Sequence, residues 1–296
     1  MGSKKLIRFD WAMKKLLRNK ANFDILEGFL SELLSENITI RKILESEGNK
    51  DDADDKHNRV DILVENTNGE LIIIEVQNSK EYDYFHRILY GTSKAISEYI
   101  DQGEEYAEVK KVISITIAYF DLGQGKDYVY HGTTQFEGIH KGDILNLAEV
   151  QTRIYKVNEV FEIYPEYWII KVGKFNNVIH DKLDEWIYFL KNGEVQADFS
   201  AKGLPEAKKK LDEMNLNDEE RAAYKYYLKR LRDIASEQHT KMVDANELIN
   251  EGKEAKEREA IIGFFNIGVS TTQIAKALKL TEDKVKQITE EERGKA

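Results

Sequence analysis

The residue types best suited to chemistry lie in two short stretches, RVDILVE at 59–65 and ELIIIEVQ at 70–77, joined by NTNG. Both stretches are apolar and β-branched, and the linker has the composition of a hairpin turn. They carry two carboxylates, Asp61 and Glu75, and one amide, Gln77. Side chains alternate along a strand, so Asp61 shares a face with Arg59, Leu63 and Glu65, while Glu75 and Gln77 share one with Leu71 and Ile73. A turn made of Thr67, Asn68 and Gly69, with the glycine left-handed, pairs Asn66 with Glu70. It then sets Asp61 directly opposite Glu75, with Cβ atoms roughly 5 Å apart. One residue more or fewer in the turn would send the two carboxylates to opposite faces.

Two ionised carboxylates that close repel unless something compensates them. A divalent cation does so, and Mg²⁺ in particular takes one or two carboxylates together with waters and phosphate oxygens. Through its amide, Gln77 is able to orient a water or a phosphate oxygen, but it cannot act as an acid or base at neutral pH. The chemistry that such a set serves is phosphodiester hydrolysis, in which the metal polarises the phosphate and acidifies the attacking water. The competing reading, commoner for this spacing taken alone, is a pair of exposed positions at a sheet edge.

The flanking elements follow from hydrophobic period. Residues 9–35 show helical spacing with a break near 19–22, and ITIRKILES at 38–46 reads as a strand. Residues 82–102 return to a helical period with Phe85, Ile88, Leu89, Ala95, Ile96 and Tyr99 on one side. KKVISITIAYF at 110–120 reads as a buried central strand. YVYHGTTQF and the stretch around 150–172 read as further strands. After about residue 178 the texture becomes helical and highly charged, with DKLDEWIYFLKNG ending on a glycine stop. The expected organisation is a core at 1–178, a helical extension at 179–250, a charged helical connector at 251–260 and terminal helices at 261–296. The fold class is α/β, a central mixed β-sheet flanked by helices, with a helical C-terminal extension.

Bulk properties narrow the partners. The 296 residues are 33% charged with a net charge of −10, which argues against simple electrostatic coating of nucleic acid but leaves room for a local basic groove. Cysteine is absent, which removes disulfide frameworks and thiolate zinc sites and makes the cytoplasm the default compartment. No secretory signal and no apolar run of membrane-spanning length is visible, so no membrane partner is expected.

Several segments together resemble the PD-(D/E)XK nuclease family transposases, the recombination-promoting nuclease type: FDWAMKKLL, NFDILEGFLSELL, RVDILVENTNGELIIIEVQ, RILYGTSKAISEYIDQGEEY, DEWIYFLK and LNDEERAAYKYYLKRLRD. The resemblance covers most of the chain in the same order. It implies a restriction-endonuclease-like fold and a Mg²⁺-dependent DNA endonuclease (Mn²⁺ as substitute), with no small-molecule cofactor and, for a double-strand break, a homodimer. Carried over, Asp61 and Glu75 match the acidic motif and hold the metal, with a backbone carbonyl near Val76 as a further ligand. Gln77 stands where the wider superfamily has lysine, and Lys56 matches a lysine often seen in this branch. Lys94 is a second basic possibility, better read as a solvated helix position. Glu27, in the early helix, is a further metal or catalytic candidate against an ordinary exposed position. Arg87 and Tyr90 are expected to face DNA phosphates. Lys14, one turn from Asp10, is either half of an ion pair or part of the DNA-facing entrance.

Two alternatives stay open: a catalytically inactive DNA-binding or interaction protein that keeps the fold, and an RNA nuclease. The acidic run from Asp51 to Asp55 lacks the spacing of a calcium loop. STTQIAKALKLTEDKVKQI has helix–turn–helix texture, with Lys279 at the turn position where glycine is common and Thr281 capping the second helix. Glu282 and Asp283 at the start of that helix suit its dipole and oppose phosphate. DNA contact and dimerisation or packing are both open for this element.

Overall fold

A computed structural model describes residues 8, 11–12, 20–44, 61–99, 105–212 and 216–294. The chain divides into two compact units, Met1–Lys225 and Tyr226–Ala296. The first is built on a six-stranded mixed sheet, whose strands are β1 (Ile40–Leu44), β2 (Ile62–Asn66), β3 (Leu71–Gln77), β4 (Val112–Ala118), β5 (Val129–Gly132) and β6 (Glu166–Lys171). Their spatial order is β1-β2-β3-β4-β6-β5. The pairs β1–β2, β2–β3 and β5–β6 are antiparallel, whereas β3–β4 and β4–β6 are parallel. Parallel strands are covered on both faces, which is why LIIIEVQ and VISITIA are almost continuously apolar. All seven residues of β4 are buried, as a central strand requires.

Helices lie on both faces. The helix α1 (Phe23–Leu34) follows a 3₁₀ turn at Lys20–Asn22. The crossover from β3 to β4 contains α2 (Tyr84–Glu98), which packs Ala95 against Leu63, Leu71 and Ile73. Its buried positions are Tyr84, Ile88, Thr92 and Ala95, while Phe85 and Leu89 are exposed. The apolar side expected for this helix is therefore rotated. Packing is carried by Tyr84 and Thr92, whose hydroxyls are satisfied by Glu75 and by the Ile88 carbonyl. Residues alternate, so Tyr119 leaves the sheet on the face opposite Ala118, and its hydroxyl donates to the Leu190 carbonyl (2.8 Å). That carbonyl belongs to α4 (Lys182–Asn192), which ends on Gly193 at φ 68°, as its glycine stop predicts.

Between β5 and β6 the stretch expected to be strand opens instead with the short helix α3 (Glu149–Tyr155). None of its residues is buried, so no core-facing stripe marked it in the sequence. The second face of the sheet closes where α1 meets α4 and α5 (Leu204–Lys210). Phe29 packs edge-on against Trp186 (5.5 Å), whose Nε1 donates to the Lys202 carbonyl (3.1 Å). A Cβ on Gly28 would lie 2.3 Å from that carbonyl oxygen, so this helix crossing requires glycine.

The long helix α6 (Asp218–Asn266) runs without interruption through the segments expected as extension and connector. In the second unit its end joins α7 (Thr271–Leu278) and α8 (Glu282–Arg293) around Ile261, Ile274, Ala275 and Val285. Ser270 and Thr281 cap the two short helices by accepting from the backbone N–H groups of Gln273 and Lys284. Lys279 takes the left-handed turn position at φ 57°. No helix of the described residues is long and apolar enough to cross a membrane.

Candidate metal and nucleic-acid site

The hairpin register is pinned at its turn. The Asn66 N–H donates to the Glu70 carbonyl and the Gly69 N–H to the Asn66 carbonyl, both at 3.1 Å, with Gly69 at φ 81°. The Asn66 side-chain oxygen accepts from the N–H groups of Asn68 (3.0 Å) and Glu70 (2.9 Å), so the asparagine braces the loop it opens. The ladder runs from Glu65 opposite Leu71 to Ile62 opposite Ile74. One further step sets Asp61 opposite Glu75.

Asp61 precedes the first residue of β2 and is partly exposed. Its Oδ2 accepts from the Val76 N–H at 2.7 Å, which ties the carboxylate to the strand carrying Glu75. Backbone N–H and C=O groups of one strand residue point to the same edge, so the Val76 carbonyl lies on the Asp61 side of β3. Consistently, the next carbonyl, of Gln77, turns the other way and accepts from the Tyr119 N–H (2.9 Å). Glu75 is only 9% exposed, so it is not an edge position running out into water.

The surroundings of Glu75 set its charge. Its Oε2 accepts from the hydroxyl of Tyr84 at 3.1 Å. Burial raises the Glu75 pKa above the ordinary glutamate range; Arg87 and the Tyr84 hydrogen bond oppose this, and Asp61 and Glu81 add to it. Burial also raises the Tyr84 hydroxyl far above its usual value, with the Glu75 charge next in weight, so Tyr84 stays a donor. Burial works to lower the Arg87 pKa, but the charges of Glu75 and Glu81 more than offset it.

Glu81 ties the remaining polar groups together. Its Oε1 accepts from Gln77 Nε2 at 2.5 Å, and both its oxygens lie 3.3 Å from Arg87 Nη1. The Arg87 guanidinium also lies 5.6 Å from the centre of the Tyr84 ring. The fold thus brings Asp61, Glu75, Val76, Gln77 and Arg87 into one neighbourhood, together with two residues that sequence reading missed. Tyr84 opens an 84–88–92–95 spacing, a signal masked by the more apolar set that includes Phe85 and Leu89. Glu81, in the turn before α2, had no periodic signal.

The other expected residues stand outside these hydrogen bonds. Tyr90 is exposed on α2 and Lys94 pairs with Glu98 (3.6 Å) on the same helix. Glu27 accepts from the Ile40 N–H (2.8 Å) at the start of β1, and Ile40 pairs with Asn66 at the turn end of the hairpin, the far end of β2 from Asp61. Its carboxylate therefore caps an edge strand instead of joining the acidic pair. Lys14 and Lys56 lie outside the described residues.

Among the described residues, no three His, Cys, Asp or Glu side chains cluster as an all-protein metal cage. Two carboxylates and a carbonyl edge are oxygen donors of the kind a hard divalent cation takes alongside waters and substrate oxygens. A cation between Asp61 and Glu75 would also compensate the buried charge of Glu75 and its repulsion by Asp61.

A mixed sheet with helices on both faces and an acidic pair at a strand end is the architecture of the restriction-endonuclease-like nucleases. The family model for the PD-(D/E)XK nuclease family transposase matches residues 7–241 of 296, and the chain belongs to that family, a nuclease type that generally works with divalent metals on DNA. No curated protein and no solved structure shows significant similarity to it.

Proposed function

We propose that this protein is a Mg²⁺-dependent DNA endonuclease of the recombination-promoting type, with Mn²⁺ as a substitute and a homodimer cutting both strands. Asp61 and Glu75 would hold the ion, with the Val76 carbonyl as the third protein ligand. When bound, the ion would supply polarisation of the phosphate and a water of lowered pKa. The protein's own groups would do the rest. Tyr84 fixes one oxygen of Glu75, and the Val76 N–H fixes one of Asp61, so both carboxylates are preorganised. Gln77 and Arg87 are donors placed to receive phosphate oxygens when Glu81 gives them up, with Tyr90 on the same helix toward the DNA backbone.

The observation that carries this reading is the opposition of Asp61 and Glu75 on one sheet face, each held by a separate hydrogen bond. The test is plasmid cleavage with Mg²⁺ or EDTA by wild type and Asp61→Ala, with an RNA substrate at the same salt as a parallel arm. Wild type should cut DNA only with the ion, and the variant should not. Equal nicking by both proteins removes the assignment.

A further inference from the structure

The turn that follows the acidic strand and the first turns of α2 carry large apolar side chains into solvent. Tyr82 is 91% exposed, Phe85 52% and Leu89 55%, at spacings of three and four. Single exposed apolar residues are ordinary, whereas a contiguous stripe marks a contact surface. This stripe is interleaved in the chain with residues of the candidate centre. Glu81, just before Tyr82, holds Gln77 and Arg87, and Tyr84, two residues after it, holds Glu75. Phe85 follows Tyr84 and turns outward, with its ring edge 3.2 Å from where a Cβ on Gly123 would sit. The Lys80 ammonium lies 4.8 Å from the centre of the Tyr82 ring.

We infer that Tyr82 and Phe85 form an aromatic step on which an unpaired base stacks beside the phosphodiester held at Asp61 and Glu75. The substrate is then DNA carrying unpaired bases, in preference to perfect duplex. This inference rests on the nuclease reading of the neighbouring site. Three observations favour a base over a protein as occupant. Aromatic faces accept any base, and the Lys80 ammonium over one face of Tyr82 leaves the other for a base while supplying a cation for the adjoining phosphate. Three side chains present a few hundred Å² at most, well short of the ~800 Å² per partner of a stable protein interface. Tyr82 is also the chain neighbour of Glu81, which holds Gln77 and Arg87, so the step begins beside the groups that would receive the phosphate.

The test reads binding separately from cleavage. DNA carrying 2-aminopurine is titrated in EDTA at one fixed salt as a single strand, as a duplex with the analogue opposite a gap, and as a perfect duplex. Wild type should quench the first two and bind them more tightly than the third. Tyr82→Ala and Phe85→Ala should each weaken binding of the first two by roughly tenfold and leave the perfect duplex unchanged, and Tyr82→Phe should behave as wild type. Tyr82 is solvent-exposed, so its truncation leaves the fold intact. Alanine variants that bind all three DNAs as wild type does would overturn the inference. So would variants that lose self-association in size-exclusion chromatography while keeping the base preference, which would assign the stripe to a protein partner. Asp61→Ala, assayed with Mg²⁺ alongside, separates the two readings. If it still cleaves, the nuclease assignment falls and takes this inference with it. If it loses cleavage while the alanine variants keep the base preference, the stacking inference falls alone.

Discussion

Replacing Tyr84 by Phe removes a single oxygen from the candidate centre. The ring stays packed edge-on against Phe120 (5.7 Å, 89°), so the change isolates the hydrogen bond to Glu75 Oε2 at 3.1 Å. A hydrogen bond to a charged group contributes about 1.5–3 kcal/mol, and this one is long for an O–H donor, which favours about 1.5 kcal/mol. In a unit the size of residues 1–225, that is a fall in Tm of roughly 3–6 °C. The pH dependence has a definite sign. The Glu75 pKa is already raised in the folded protein, chiefly by burial, and the Tyr84 bond works to lower it. Its loss raises the folded value further. A raised folded pKa adds stability in full below the ordinary glutamate value of 4.5, and that contribution is lost as pH rises through the folded value. The gap between Tyr84→Phe and wild type should therefore be small at pH 4 and widen by pH 8. Thermal unfolding at pH 4, 6 and 8 measures it, and the acid limb of the cleavage profile should move to higher pH. A Tm difference independent of pH, together with an unmoved acid limb, would refute the reasoning.

By the same linkage, Glu75→Gln should raise stability as pH climbs above 4.5 while abolishing cleavage; urea unfolding at pH 5 and 8, paired with plasmid cleavage, checks both halves. Gly28→Ala should destabilise the first unit by about 1–3 kcal/mol, because its methyl group would collide with the Lys202 carbonyl and the Gly203 backbone, measured as a lower denaturant midpoint. Lys279→Gly should stabilise the second unit by about 1 kcal/mol by relieving the left-handed turn between α7 and α8, seen as slower amide hydrogen exchange in both helices.

The hairpin was legible in the sequence because its register depends on local turn chemistry. Asn66 and Gly69 specify the loop, and alternation then fixes the faces of Asp61 and Glu75. The strands β1, β3 and β4 were legible for a similar reason, as short β-branched runs between polar breaks. The buried face of α2 was not, because apolar content favours Phe85 and Leu89 while the sheet selects Tyr84 and Thr92, which bury polar tips only when partners meet them. Glu27 looked available for chemistry in sequence, but the backbone of an edge strand claims its carboxylate. The continuity of α6 is not legible, since Gly252 and Gly263 interrupt a weakly amphipathic pattern that a helix tolerates.

The position of the hairpin also bears on how the centre assembles. Asp61 meets the Val76 backbone across a separation of 15 residues, and Tyr84 meets Glu75 across 9. Everything from Asp61 to Arg87 comes from one uninterrupted stretch of chain. Closing such short loops forfeits little chain entropy, and contacts this local form quickly. The pair of carboxylates can therefore come together before the distant meeting of Phe29 with Trp186, or the bond from Lys202 back to Glu32, is made. The centre is a cassette in the plain sense: a self-registering segment that the remainder of the first unit shelters but does not have to align.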